Sequence, residues 1–133
     1  MVLVDTAIWI DLLRARDTRA VARLRAVIDK EEAALAPVIM QEILQGARDE
    51  GAFRKLAAEF GRLPMLGLAD PIALARSAAR LYARARWRGV TPRSPHDCLI
   101  AAIAVDERVP LLADDVDFER LRETEPRLVL LPH

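Results

Sequence analysis

Four acidic residues stand where chemistry could be done: Asp5, Glu42, Asp97 and Asp115. Asp5 ends the apolar run Val2-Leu3-Val4 that opens the chain in "MVLVDTAIWID". It and Asp115 each follow an expected strand and precede an expected helix, where an aspartate accepts backbone N–H bonds. Asp97 lies three residues after Ser94, the reciprocal capping-box position, with Asp in place of Glu. Singly, each of these three reads as a helix cap. Glu42 does not. It lies five residues beyond Pro37, too deep to cap, among Ile39, Ile43 and Leu44. It therefore either reaches water at the edge of an apolar stripe or turns into a polar pocket.

Together the acids carry a different meaning. Two at strand ends and two near helix N-termini can all project to one edge of a parallel sheet. Four carboxylates gathered there repel one another unless a cation neutralises them. Hard oxygen ligands without His or Cys suit Mg²⁺ or Mn²⁺ better than zinc. Such a centre can grip a phosphodiester and lower the pKa of an attacking water.

The elements that must position these acids can be read from periodicity and punctuation. Val2 to Val4 is a strand, followed by a helix over about Thr6 to Arg14. Val21, Leu24, Val27 and Ile28 fall at helical spacing over Ala20 to Ile28. Ala33 to Ala36 is a short apolar strand, and Pro37 opens the helix that carries Glu42. Gly51 is expected to break that helix, with another over Ala52 to Phe60. Pro64 to Leu68 reads as a third strand. The clearest helix, "ADPIALARSAARLYARARWRG", has Asp70 as cap, Pro71 first and Gly89 as stop. "RSPHDCLIAAIAVDERVP" repeats that grammar from Ser94 and Pro95. Leu111 to Ala113 is a strand, Asp117 to Arg122 a short helix and Leu128 to Leu131 a last strand. The expectation is an α/β single domain over residues 1–133, its central parallel sheet flanked by helices on both faces. Functional groups in such sheets gather at the carboxyl ends of strands.

Composition narrows the setting. The 133 residues hold 20 basic and 20 acidic side chains. No apolar run approaches the roughly 18–20 residues that cross a bilayer, and no basic, apolar leader opens the chain. The lone cysteine, Cys98, forms no internal disulfide and reads as a core residue. A cytoplasmic protein is expected. Among the basic residues only Lys30 and Lys55 are lysine; the rest are arginine. Arginine suits bidentate phosphate contacts, but GC-rich codon usage gives the same excess, so it identifies no partner. Trp9 and Trp87 read as packing or interface residues before base-stacking platforms.

Four segments, "VDTAIWID", "VIMQEILQG", "RSPHDCLIAAIA" and "LLADDVDFERL", occur in an order and at a spacing that carry a family signature. The chain resembles PIN-domain ribonucleases, specifically the VapC-like toxins of bacterial toxin–antitoxin pairs, over essentially its whole length. The resemblance implies an α/β/α sandwich with a metal-dependent acidic site that cuts RNA. Asp5, Glu42, Asp97 and Asp115 match the acidic ligands for Mg²⁺ or Mn²⁺. Asp117 matches the acid that often completes the pocket, and Thr6 the hydroxyl residue that commonly follows the first aspartate. Arg14 and Arg93, closest in sequence to site segments, are candidates for holding flanking phosphates. The resemblance further implies a homodimer and a VapB-like antitoxin laid over an apolar groove. Pro95 and His96 receive no role. Asp5 is then expected both to cap its helix and to bind metal.

Rival readings meet obstacles in the same residues. His96-Asp97 resembles the metal-binding pair of phosphohydrolases, but that chemistry needs further histidines and only His133 remains. A receiver-like phosphoacceptor domain needs an acidic pair after its first strand and a late lysine. Here Thr6 and Ala7 follow Asp5, and the late region has no lysine. A catalytically silent PIN scaffold that only binds a partner is opposed by intact acids at all four positions.

Overall fold

Three adjacent residues of the first strand, β1 (Val2–Val4), are all buried. Successive strand side chains point to opposite faces, so both faces of this strand are covered. The computed structural model describes residues 1–133 and shows how. β1 is the centre of a parallel sheet, between β2 (Ala33–Ala34) and β3 (Leu111–Leu112). Beyond β2 a single parallel bridge joins Leu35 to Met65, and beyond β3 another joins Leu111 to Leu130. The expected strands Pro64–Leu68 and Leu128–Leu131 thus shrink to one bridge each. Short edges of this kind leave little unpaired backbone for another chain to extend.

The chain moves outward from β1 to β2 to Met65, then returns across β1 to β3 and outward to Leu130. Right-handed crossovers place the helices of the two excursions on opposite faces. The first group is α1 (Thr6–Leu13), α2 (Arg19–Asp29), α3 (Pro37–Leu44) and α4 (Glu50–Phe60), in which α1 packs on α2 and α3, and α3 on α4. The second is α5 (Pro71–Trp87), α6 (Pro95–Glu107) and α7 (Val116–Thr124), mutually packed. A cluster of 33 buried apolar residues runs through both layers, from Val2 to Leu128. The reversal in strand order falls between β1 and β3, the crevice where ligands bind in open α/β sheets.

Local signals set most boundaries. Asp70 caps α5 by accepting from the Ala73 amide at 3.0 Å, and Gly89 ends it at φ +84, a conformation that favours glycine. Ser94 caps α6, accepting from His96 N at 3.2 Å. Gly51 does not break the helix as expected. Asp49 caps α4 by accepting from Ala52 N at 2.7 Å, which draws Gly51 into its first turn. The break lies instead between Leu44 and Asp49. Trp9 packs edge-on against Phe60, ring centroids 5.1 Å apart. Trp87 packs on nothing comparable and is 74% exposed. Cys98 is buried in the core, as expected.

Candidate metal centre

Only three polar residues of this protein are buried: Asp5, Thr6 and Asp117, at 6%, 8% and 6% exposure. All three lie at the crevice between β1 and β3. A fold gains nothing by burying a carboxylate unless something compensates its lost hydration.

Each acid arrives by a short route from the sheet. The Asp5 amide donates to Leu112 O of β3 at 2.9 Å, which fixes the corner between β1 and α1. Asp5 occupies the N-cap position of α1, but its side chain makes no capping hydrogen bond. The expected cap is therefore loose: no hydrogen bond reaches full geometry, yet the Thr6 and Ala7 amides still act as donors that favour the charged carboxylate. Glu42 projects from α3 into the same corner. Thr6 Oγ1 donates to Glu42 Oε1 at 2.9 Å, while His96 Nδ1 stands 3.7 Å from Oε2. This settles the choice left by its sequence context: Glu42 turns into a polar pocket. Asp97 sits in the first turn of α6 and makes no reciprocal capping-box bond, so its carboxylate is left for the crevice. Asp115 does cap, accepting from Asp117 N at 2.9 Å at the start of α7.

The acids feel one another. Burial first, then the Asp97 charge, and further down Glu42, push the Asp5 carboxyl up to about 7. Asp97 rises to about 6 through burial, then Asp115, Asp117 and Glu42, opposed by His96. All five predicted acids therefore share one field, and Thr6 belongs with them.

Arginine meets the remaining charge. Arg93 Nε lies 3.3 Å from Asp117 Oδ2, and Arg120 Nη1 3.6 Å from Oδ1. The Arg93 contact is an ion pair off the line of a hydrogen bond, so the buried Oδ2 has no hydrogen-bond partner. Arg14, by contrast, is exposed at the far end of α1, about 13 Å of helix rise from Asp5. It is not brought to the site. His96 and Arg120 are the members that sequence reasoning passed over. Their signal was helical spacing: His96 shares the first turn of α6 with Asp97, and Arg120 lies three residues after Asp117.

The donor set fits a hard divalent cation. It offers carboxylate oxygens only, one of them buried without a hydrogen bond, in a cluster where burial and neighbouring acids push Asp5 and Asp97 up. In the rotamers adopted here no three of these side chains converge on one point as a finished coordination sphere would. The reason is visible in the contacts: Thr6 and His96 hold Glu42, the α7 amide holds Asp115, and two guanidiniums hold Asp117. A cation competes with these for the same oxygens.

A parallel sheet with acids at its switch point, flanked by this helix order, defines a class. Residues 2–124 match the PIN domain family, and the chain belongs to it. Among curated proteins it is similar to ribonuclease VapC11 of Mycobacterium tuberculosis and to a VapC ribonuclease of Mycobacterium bovis. With each it shares 38% identity over 122 residues, 90% of both chains. Among solved structures it resembles VapBC2 from Rickettsia felis bound to a fragment of its promoter DNA, at TM-score 0.75 and 19% identity, covering 98% of each chain. FitAcB from Neisseria gonorrhoeae gives TM-score 0.70 and 19% identity, over 99% of this chain and 97% of that one. No helix of the protein is long and apolar enough to cross a membrane.

Proposed function

We propose that this chain is a VapC-type toxin, an endoribonuclease that hydrolyses RNA phosphodiester bonds with Mg²⁺ or Mn²⁺ held by Asp5, Glu42, Asp97 and Asp115, with Asp117 completing the pocket. The observation that carries the reading is the burial of Asp5, Thr6 and Asp117 in a corner where burial and neighbouring acids push the carboxyls of Asp5 and Asp97 up. Burying mutually repelling acids is costly without a cation. The VapC ribonuclease relatives at 38% identity supply the substrate class.

When bound, the cation supplies Lewis-acid charge at the phosphate and acidifies the attacking water. The protein's own groups set the stage. Thr6 fixes the Glu42 rotamer, and Asp115 closes the first turn of α7 and so places Asp117. Arg93, on the exposed loop before α6, is the guanidinium placed to meet a phosphate next to the scissile one. Arg14 takes no part. A homodimer, a VapB-like antitoxin that silences the site and a cytoplasmic setting complete the proposal, on the strength of the likeness to VapC-like toxins.

The test is cleavage by the protein purified free of any partner. It should cut RNA in Mg²⁺ or Mn²⁺, stop on adding EDTA and resume when metal is returned in excess. Cleavage undiminished by EDTA would sink the metal mechanism.

A further inference from the structure

In a chain whose charges sum to zero, one helix is strongly one-sided. α5 holds Arg76, Arg80, Arg84 and Arg86 and no acid. Three of these arginines face a cleft of about 510 Å³ between α5, the C-terminal half of α6 and the segment after α7. Arg108 and Arg127 line its other side, and the only acids there are Asp106 and Glu125. Glu125 is spent on Arg127, at 2.6 Å. Arg76, Arg80, Arg84 and Arg108 carry no ion pair within 4.0 Å, although α5 and α6 are packed together. Chains normally intersperse charges on such a face; here only Arg84 feels a carboxylate, that of the already paired Glu125, and a run of guanidiniums without direct partners leaves binding capacity unused.

The row has a direction and an end. Arg76, Arg80 and Arg84 are spaced four residues apart, about 6 Å of rise per step, comparable with the separation of successive phosphates along a strand. At about 100° per residue, Trp87 falls on the same stripe, between Arg76 and Arg80 in angle and beyond Arg84 in height. Its ring is 74% exposed. Guanidiniums in line with an exposed indole are the elements of a single-strand track, charge for the backbone and a ring face for a base. An acidic peptide would use the arginines but leave the indole without a role.

We propose that Arg76, Arg80 and Arg84, with Arg108 opposite and Trp87 at the end, form a second RNA-binding track remote from the cutting site. It rests on the ribonuclease reading and deepens it. α6 links the two places: Asp97 lies at the acid corner and Asp106 lines the cleft, about 13 Å apart along the helix. A few nucleotides of strand span that distance, so the track holds RNA flanking the scissile bond and selects for length and single-strandedness near it.

The test uses the full chain with Asp97→Asn, in Mg²⁺, and a short unstructured fluorescent RNA titrated across a range of salt. Replacing Arg76, Arg80 and Arg84 together by Ala should weaken binding at least about tenfold. The slope of log K against log salt should fall by about 2, at roughly 0.7 for each phosphate no longer neutralised. Trp87→Ala should weaken binding by about tenfold with the slope unchanged, as loss of stacking requires. In the otherwise native protein the triple variant should raise KM for long RNA and leave kcat alone. The substituted positions are exposed and alanine favours helix, so circular dichroism should show an intact fold. Unchanged RNA affinity and slope in the triple variant overturn the track while native cleavage leaves the ribonuclease reading standing. Arginine-dependent binding without any native cleavage upholds the track and sinks the nuclease. No RNA binding by the parent overturns the track. Loss of polyglutamate binding with RNA binding intact also overturns it, because the cleft then docks an acidic protein.

Discussion

The two ends of α6 carry opposite charge economies. At its N-terminus Asp97 enters a crowd of acids, two of them buried, where its own ionisation is opposed by burial and by its acidic neighbours. At its C-terminal half the helix lines a cleft of exposed arginines that repel across water. The first arrangement is expensive in any dry setting; the second is screened and costs little. The difference predicts where substitutions act. Changes at the acid corner should alter stability and chemistry together, while changes along the arginine row should alter association alone.

The strongest blow to that contrast is Asp97→Asn. Cleavage should fall to background, a larger loss than the roughly 10–100-fold typical of groups that only support a metal ligand. Yet the metal-free protein should melt higher than wild type at pH 7, because one of several repelling charges is gone. Added Mn²⁺ should shrink or reverse that order, since wild type gains as RT ln(1 + [L]/Kd) and the variant does not. If the variant melts at or below wild type without metal, and gains as much from Mn²⁺, the acids are ordinary helix-end residues.

Next in size is the pH dependence. The Asp5 carboxyl titrates near 7 in the folded protein against 3.8 in the unfolded chain, so the unfolded state releases its proton first. Below about 3.8 both states are protonated and the group contributes nothing. As pH rises towards 7 the folded state binds more protons and stability falls, by an amount on the order of a few kcal/mol. Asp97 acts in the same sense up to about 6. Urea midpoints of metal-free protein should therefore decline from pH 4 to 7, and Asp5→Asn should flatten the curve. A midpoint that rises over this range would contradict the geometry.

Thr6→Val should matter less. It removes the donor to Glu42 and should cost about 1 kcal/mol of stability and roughly 10–100-fold in cleavage, with partial rescue by Thr6→Ser. Retention of full activity would show that Glu42 needs no positioning. Arg14→Ala should change neither cleavage nor melting by a measurable amount, and a clear loss of activity would place α1's far end in the substrate path.

Much of this was legible in the residues because local rules agree with the fold. Apolar Val2-Leu3-Val4 could only be a doubly covered strand, and Asp70-Pro71 and Ser94-Pro95 are helix starts whatever surrounds them. Asp5, Glu42, Asp97 and Asp115 were legible as a group because strand ends and helix starts share one sheet edge, whereas Asp117 and Thr6 came only through the family resemblance. What escaped depends on tertiary contact. The outer strands dwindle to bridges at Met65 and Leu130 because pairing length is set by how far neighbouring loops let the chain follow β2 and β3. Asp5 lacks its capping bond, and Asp49 rather than Gly51 decides where α4 begins; both are matters of side-chain direction. His96 reaches Glu42 from another helix, and nothing in the order of residues announces a contact across 54 positions.

Cys98 follows Asp97 in the chain and is sealed beneath it. Burial, and then the Asp97 charge, push its thiol up to about 11, while the thiolate is the form that alkylates or oxidises. The only sulfhydryl of the protein is therefore chemically mute as long as α6 stays docked. It becomes reactive when that end of the helix opens, so the rate at which a maleimide finds it is a clock for local opening beside the acids. The molecule carries its own reporter, placed one residue from the group whose repulsion would drive the opening.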